Sequence, residues 1–164
     1  MEKALLFSDS HGSNEDMINV IKQYAGQVSA VFHMGDIQGA EGLLQNAASE
    51  IGCLAYIVRG NCDRKPDLKE ANVIGFAGKR IALCHGHRFG GYGDPDMDSL
   101  RYFGEENNAD VVLFGHTHKP FCEKFGEVLI CNPGSISQPR GGSKKGYAVL
   151  AVDEDEVSVE FFET

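Results

Sequence analysis

Residues 4–12 read ALLFSDSHG, an apolar run that ends abruptly in polar residues and a glycine. A short apolar run bounded by such a turn signal is typical of a buried strand. Apolar residues then recur at helical spacing from Met17 to Tyr24, which predicts a helix capped by Ser13 or Asn14. The chain therefore opens with a strand, a polar loop and a helix.

The same order repeats along the first third of the chain. Apolar runs at 28–34 and 53–58 predict a second and a third strand, with a short helix over 42–49 between them. The β-α-β-α-β alternation predicts a parallel sheet with right-handed crossovers. Ligands of such sheets bind outside the carboxyl ends of the strands. Each of these three strands ends there in charged or amide residues.

The remaining two thirds are richer in strands. A hairpin is predicted from strands at 72–76 and 80–84 around the turn 77–79, and a helix over 96–108 with Leu100, Tyr102 and Phe103 as its apolar face. Further strands are predicted at 111–114, 121–125, 127–131, 147–152 and 157–162, with Gly126 as a turn. Because no linker or repeat interrupts this order, we expect one domain over 1–164.

Composition narrows the class of protein. The 164 residues carry a formal net charge of −9, which disfavours tight binding to nucleic acid or to an anionic membrane. No apolar run approaches the roughly 20 residues of a membrane span. The first residues run straight into a strand without a signal-peptide pattern. We therefore expect a cytoplasmic protein without a membrane or nucleic-acid partner.

The five cysteines are odd in number and form no Cys-x-x-Cys pair. Cys53, Cys84 and Cys131 lie in apolar runs, where a free thiol behaves as a small hydrophobic side chain. The sequence thus predicts neither a disulfide framework nor a thiolate zinc site. His33 is a lone histidine inside a predicted strand, and we expect it to be a core residue whose ring nitrogens are hydrogen-bonded.

Potential metal ligands follow five of the predicted strands. They are Asp9, His11, Asp36, Asn61, His85, His116 and His118. Mixed oxygen and nitrogen donors suit Mn²⁺, Fe²⁺, Co²⁺, Ni²⁺ or Zn²⁺. Seven ligands exceed one tetrahedral site but suit two ions if a carboxylate bridges them. Each motif alone is more often an ordinary turn or cap, and only their joint order favours a metal centre.

The ordered motifs resemble the calcineurin-like metallophosphoesterase superfamily. They are Asp9-x-His11, Gly35-Asp36, Gly60-Asn61-Cys62-Asp63, Cys84-His85-Gly86-His87 and Gly115-His116-Thr117-His118. With Asn132-Pro133-Gly134-Ser135, the match is closest to the small single-domain phosphodiesterase branch, which includes the retromer small-subunit scaffold. The resemblance implies a four-layer αββα sandwich, two facing mixed sheets flanked by helices, with a dimetal site at one edge.

The resemblance also implies a ligand set for each of two divalent ions per chain. One ion would take Asp9, His11, Asp36 and His118, and the other Asp36, Asn61, His85 and His116, so that Asp36 bridges. Manganese is the expected ion, with nickel, cobalt, iron or zinc as alternatives. The expected activity is hydrolysis of small phosphodiesters by a hydroxide that bridges the two ions.

Asn61, Cys62 and His87 are the candidate catalytic residues, with His87 as a pocket wall. Many relatives carry histidine where this chain has Cys62, and a thiol is a poor substitute for an imidazole as general acid. Substrates with good leaving groups are therefore expected, although Cys62 could equally be a small residue without a chemical role. Asp63 is either a positioning residue or a turn cap.

The sequence gives weaker evidence for residues that contact the substrate than for metal ligands. Arg140 and Asn14 are the candidate substrate-binding residues, with Arg59 and Ser135 as weaker ones, since arginine suits phosphate. The alternative function is a non-catalytic scaffold that binds a protein partner, although such a scaffold is free to lose ligands that this chain keeps. A homo-oligomer is a further expectation if Phe121, Phe125, Phe161 or Phe162 are exposed rather than packed on the second sheet.

Overall fold

The computed structural model describes residues 1–91 and 93–164. The described residues form ten strands and three helices. In chain order these are β1 (Glu2–Phe7), α1 (Glu15–Gln23), β2 (Ala30–His33), α2 (Glu41–Glu50), β3 (Leu54–Ile57), β4 (Ala71–Phe76), β5 (Lys79–Cys84), α3 (Met97–Glu106), β6 (Val111–Leu113), β7 (Pro120–Phe125), β8 (Val128–Pro133), β9 (Gly146–Val152) and β10 (Val157–Glu163). Every predicted strand and helix is present, with ends that coincide or shift by no more than three residues.

The strands form two five-stranded mixed sheets. The first has the order β10-β9-β1-β2-β3, and the second β4-β5-β6-β8-β7. The strands β1, β2 and β3 run parallel, as do β5, β6 and β8. Antiparallel β9 and β10 complete the first sheet on one side, and antiparallel β4 and β7 flank the second sheet on both sides. The parallel strands of each sheet send their following loops to one edge of the molecule.

Three apolar clusters divide the molecule into four layers. Successive residues of β1, such as Leu5 and Leu6, face opposite sides of the first sheet, because the side chains of a strand point alternately to its two faces. Leu6 packs against Ile81 and Leu113 of the second sheet, whereas Leu5 packs under α1 and α2. The outer face of the second sheet packs against α3 through Leu100. This arrangement confirms the expected αββα sandwich.

Some details of the sequence prediction were wrong. Tyr102 is 67% exposed rather than part of the apolar face of α3, whereas Phe103 packs against that core. A disulfide joins Cys122 to Cys131 across β7 and β8, although none was predicted. Cys53 and Cys84 are buried free thiols as expected.

The four phenylalanines considered for a surface patch have mixed surroundings. Phe121 and Phe125 pack on the outer face of the second sheet, and Phe162 stacks on Tyr147 of the first sheet. Phe161 is 41% exposed. Within the two described ranges, none of the helices combines the length and hydropathy that crossing a bilayer requires.

Candidate metal centre

Five loops from both sheets meet at one edge of the sandwich. The loops after β1, β2 and β3 bring Asp9 and His11, Asp36 and Asn61, and those after β5 and β6 bring His85, His116 and His118. Asp9, Asp36, His85 and His118 are buried, and His11 and His116 are partly buried. All seven sequence-predicted ligand positions therefore lie in one cluster.

The backbone of this cluster is unusual. Five of the seven residues have positive φ values, which are 52° at Asp9, 48° at His11, 58° at Asp36, 69° at His116 and 59° at His118. Asp, Asn and His adopt this region more readily than other non-glycine residues, but it remains unfavourable and concentrates at functional sites. The loops are thus shaped to aim side chains inward at some cost in stability.

Three histidines are fixed through the ring nitrogen that points away from the centre. The Nδ1 atoms of His85 and His118 donate to the main-chain oxygens of Met34 and Gln138, at 2.6 and 2.5 Å. The Nδ1 atom of His11 donates to Oε1 of Gln38 at 2.8 Å. Each Nε2 atom is therefore left to face the centre, as in histidines that bind metals.

The Nε2 atoms converge on one oxygen of Asp9. Oδ1 of Asp9 lies 3.2 Å from Nε2 of His118 and 3.8 Å from Nε2 of both His11 and His85. This oxygen is buried and has no satisfying hydrogen bond from any residue the structure describes. The other oxygen accepts from the Ser8 hydroxyl at 2.6 Å and from the His116 amide at 3.0 Å. A buried carboxylate oxygen left open among imidazole nitrogens fits a cation.

Asp36 and Asn61 complete the donor set. Oδ2 of Asp36 lies 3.3 Å from Nε2 of His85 and 3.7 Å from Nε2 of His11, so it stands between the two halves of the cluster. Oδ1 of Asn61 lies 3.0 Å from Nε2 of His85 and 3.2 Å from Nδ1 of His116. On the opposite side, the Nε2 atoms of His11 and His118 are only 3.2 Å apart. Since both Nδ1 atoms donate elsewhere, these two nitrogens need a shared proton or a cation.

Charge coupling shifts the pKa values of the cluster. Burial disfavours the ionised form of Asp9, but the nearby His118 and His85 rings and the hydrogen bond from Ser8 outweigh it and lower its pKa. Burial opposes ionisation of Asp36 in the same way, and His85 holds its pKa far below the ordinary value. Burial alone would lower the pKa values of His85 and His118, but Asp36 and Asp9 raise them. The carboxylates and imidazoles thus favour each other's charged forms, and a cation bound among them would compete with those protons.

A hydrogen-bonded carboxylate aligns the loops that carry Asp36 and Asn61. Oδ2 of Asp63 accepts from the amides of Asp36 and Gly60, at 2.8 and 2.7 Å, and Oδ1 accepts from the Gln38 amide at 2.8 Å. The sequence left Asp63 open between a positioning role and a turn cap. The contacts identify it as a positioning residue, because it joins two loops of the cluster. Gln38, which sequence reasoning missed, has no motif signal beyond its place after Asp36.

Other predicted site residues lie beside the cluster. Cys62 is exposed, donates its amide to Oδ1 of Asp36 at 2.8 Å, and places Sγ close enough to His11 and Asp36 to be a further donor. The rings of His87 and His85 are 5.4 Å apart, and Nδ1 of His87 is buried without a described partner. Burial and the charge of His85 lower the pKa of His87. Both residues thus border the centre.

The candidate substrate contacts differ in their surroundings. Arg140 is exposed, and its amide donates to the His118 carbonyl at 3.1 Å, which keeps it beside the cluster. Asn14 occupies the N-cap position of α1 without a side-chain capping bond, and its Oδ1 is buried without a described partner. Ser135 is buried and donates to the Asp9 carbonyl at 2.7 Å, so it supports the loop rather than lining a pocket.

His33 is buried beneath the cluster and fully bonded, as expected of a core residue. Its Nδ1 accepts from the Gly35 amide at 3.1 Å, so the proton lies on Nε2, which donates to the Ser10 hydroxyl at 2.9 Å. Desolvation lowers the pKa of His33 to about 4, although Asp9 and Asp63 act in the opposite direction. This imidazole therefore stays neutral in the folded protein.

His33 should make the protein sensitive to acid. Above pH 6.5 the folded and unfolded states both hold a neutral imidazole, but between about pH 6.5 and 4 only the unfolded state binds the proton. Stability should therefore fall in this window as the pH falls, by about 3 kcal/mol for one group at 1.36 kcal/mol per pKa unit. Urea unfolding of wild type and His33→Gln at several pH values, with chelator present, measures this slope. Equal slopes in the two proteins would contradict the assignment.

Comparison with known proteins agrees with this geometry. The model of the calcineurin-like phosphoesterase superfamily domain matches residues 3–155. A probable metallophosphoesterase of Bacillus subtilis, YsnB, is 32% identical over 159 residues, which cover 97% of this chain and 89% of the relative. The phosphodiesterase YfcE of Escherichia coli K12 is 30% identical over 181 aligned residues, with 97% and 91% coverage.

Solved structures show the same fold. A predicted phosphoesterase of Streptococcus pneumoniae superposes with a TM-score of 0.83 at 32% identity, over 99% of this chain and 89% of that one. Vps29 of Entamoeba histolytica, solved in complex with zinc, superposes with a TM-score of 0.73 over 98% of each chain. At 20% identity, the Vps29 likeness concerns the fold alone. The family match over nearly the whole sequence and the two relatives at 30% identity or more establish that the chain belongs to the calcineurin-like phosphoesterase superfamily.

Proposed function

We propose that the chain is a divalent-metal-dependent phosphodiesterase that acts on small phosphodiesters. The observation that carries this proposal is the buried Oδ1 of Asp9, which lies open among three Nε2 atoms whose rings are fixed from behind. The phosphodiesterase YfcE among the relatives supports the choice of a diester. The net charge of −9 argues against nucleic acid as the substrate.

Two donor groups share Asp36 and fit two ions. Asp9, His11 and His118 with Asp36 would hold one ion, and Asn61, His85 and His116 with Asp36 the other. These mixed oxygen and nitrogen donors favour manganese, with nickel, cobalt, iron or zinc as alternatives. Two such ions, when bound, would polarise the phosphoryl oxygens and supply a hydroxide that bridges them at neutral pH.

The protein's own groups determine which leaving groups are accepted. The loop that carries Asn61 is held by Asp63, so its side chain is oriented before substrate binds. Cys62 occupies the position where a proton donor for the leaving oxygen is expected. Desolvation and the negative charge of Asp36 raise the pKa of the Cys62 thiol to about 11 in the cation-free protein. A donor that weak suits leaving groups that need little protonation, such as aryl oxides.

A metal panel crossed with a substrate panel tests the proposal. Metal-free protein is prepared with chelator and reloaded with Mn²⁺, Ni²⁺, Co²⁺, Fe²⁺ or Zn²⁺, and ion content is measured by mass spectrometry. Hydrolysis of bis(p-nitrophenyl) phosphate should need the ion and exceed that of p-nitrophenyl phosphate. Folded protein that binds two ions yet turns over neither ester would contradict the proposal.

Replacing Cys62 by histidine should change the balance between ester classes. A histidine at this position can contact the additional negative charge that a phosphate monoester carries, and a hydrogen bond to a charged group is typically worth about 1.5–3 kcal/mol. Because both esters release p-nitrophenolate, the ratio of kcat/KM for p-nitrophenyl phosphate to that for bis(p-nitrophenyl) phosphate should rise through this contact by about tenfold or more. Cys62→Ser controls for loss of the thiol. An unchanged ratio would remove the assigned role of this position.

The scaffold alternative has less support. A scaffold would need no metal ligands, yet this chain keeps a donor at all seven positions and fixes three of the rings. The fold likeness to Vps29 is compatible with either function. Metal-loaded, folded protein that hydrolyses no phosphoester with any ion would favour the scaffold.

A further inference from the structure

A second charged cluster lies beside the proposed metal centre. Arg59 follows β3, Glu70 precedes β4, and Arg88 follows β5. Nη2 of Arg59 lies 2.7 Å from Oε1 of Glu70, and Nη2 of Arg88 lies 2.8 Å from the same oxygen. Nε of Arg88 lies 2.7 Å from Oε2 of Glu70, so this pair has two contacts. Glu70 thus holds two guanidinium groups side by side.

This Arg59–Glu70–Arg88 cluster borders a cavity that opens next to the centre. The cavity has a volume of about 620 Å³, and its walls include Asn61 and His87. Since Asn61 also contacts His85 and His116, the cavity and the proposed metal centre share a wall. A phosphodiester bound at the centre would therefore have room here for one of its two substituents.

The free donors of the two arginines determine what such a substituent should carry. Each guanidinium has five N–H donors, and the bonds to Glu70 use only some of them. Neither Nε nor Nη1 of Arg59 bonds to another described residue. Asp63 also borders the cavity, but its two oxygens already accept three backbone amides. The N–H groups of Arg59 and Arg88 that remain unbonded therefore belong to positively charged side chains, although the chain as a whole has a net charge of −9.

The position of Cys62 indicates which substituent faces this cavity. Cys62 lines a different cavity of about 510 Å³, together with Gln38 and Arg64, and the two cavities share no lining residue. If the leaving oxygen faces Cys62, the group retained on phosphorus points toward Arg59 and Arg88. This step rests on the proposed function.

We propose that Arg59 and Arg88, held by Glu70, bind an anionic group on the retained substituent of the substrate. The favoured substrates are then phosphodiesters whose retained alcohol carries a carboxylate or a second phosphate. Arginine suits both groups, because its planar fork can donate two parallel hydrogen bonds. Glu70 limits the motion of the two side chains and so reduces the entropy lost when the anion binds.

Three aryl phosphodiesters that share the same leaving group test the proposal. Each carries p-nitrophenyl as the leaving group, and the retained group is 4-carboxyphenyl, phenyl or 4-trimethylammoniophenyl. With Mn²⁺-loaded wild type, kcat/KM for the carboxylate should exceed that for the phenyl ester by about tenfold, as expected for charged hydrogen bonds. In Arg59→Gln and Arg88→Gln this ratio should fall toward one, mainly through KM. Arg101→Gln, which removes an exposed arginine paired with Glu105 on α3, should keep the wild-type ratio.

The outcomes separate this proposal from the proposed function. Wild type that hydrolyses none of the three esters with any ion contradicts the proposed function itself. Wild type that hydrolyses all three equally, or prefers the cationic ester, contradicts only the anionic subsite. A purely structural tether between loops predicts that each variant lowers the melting temperature and slows all three esters by one common factor, and that result would also overturn the proposal.

Discussion

Replacing Asp36 by asparagine is expected to lower kcat/KM for bis(p-nitrophenyl) phosphate by about 10³-fold or more, since metal assistance contributes several kcal/mol to the transition state. Oδ2 of Asp36 lies between Nε2 of His11 and Nε2 of His85, which belong to the two proposed ligand sets. An amide keeps the shape of the side chain and the bond from the Cys62 amide, but it lacks the charge that would hold two ions. The bound metal should fall below two ions per chain, as measured by mass spectrometry after desalting.

The matched control for this variant is Asp155→Asn. Asp155 is exposed in the turn between β9 and β10, so the same change of charge is made away from the centre. Its rate and metal content should equal those of wild type. Asp36→Asn protein that keeps two ions and the wild-type rate would show that Asp36 does not bridge them.

The convergence of the candidate ligands could be predicted because it follows from the order of the strands. Parallel strands send their carboxyl ends to one edge, so polar residues after β1, β2 and β3 must meet there. Asp9, Asp36 and Asn61 were found in this way. The pairing of a second sheet with the first was implied by the resemblance, because periodicity alone predicts single strands without saying which faces pack.

One of the two errors had a signal in the sequence. Tyr102 was assigned to the same face as Leu100, yet residues two apart on a helix point in nearly opposite directions. The disulfide was missed because the sequence predicted a turn at Gly126 alone, which would place Cys122 opposite Ile130. The observed turn comprises Gly126 and Glu127, so Cys122 pairs with Cys131 instead.

The groups that hold the histidines could not be predicted. The main-chain oxygens of Met34 and Gln138 fix His85 and His118, and a carbonyl group is present in every residue. The Arg59–Glu70–Arg88 cluster joins three loops of unrelated sequence position. Such contacts depend on loop geometry, which propensity and periodicity do not determine.

Replacing Gly60 by alanine is expected to reduce activity almost as strongly as the Asp36→Asn change, although glycine has no side chain that could contact a substrate. An added Cβ would lie 2.5 Å from the amide nitrogen of Asp36 and 2.8 Å from its carboxyl carbon, closer than folded proteins allow. The backbone at Gly60 does not have positive φ, so the cost comes from this collision alone. Displacing a reacting geometry by 1 Å can cost about 10²-fold, so kcat/KM should fall by about that factor or more.

Gly42→Ala separates this collision from a general effect of alanine. A Cβ at Gly42 meets no atom within 4 Å, and the residue lies in α2, where alanine is favoured over glycine by about 0.5–1 kcal/mol. This control should keep the wild-type kcat/KM and raise the melting temperature slightly. Gly60→Ala should instead lose both turnover and the rise in melting temperature that Mn²⁺ gives wild type, because its displaced Asp36 holds the ions poorly. A Gly60→Ala protein with normal metal stabilisation and normal turnover would mean that Asp36 needs no fixed position, and the proposed bridging role would then be wrong.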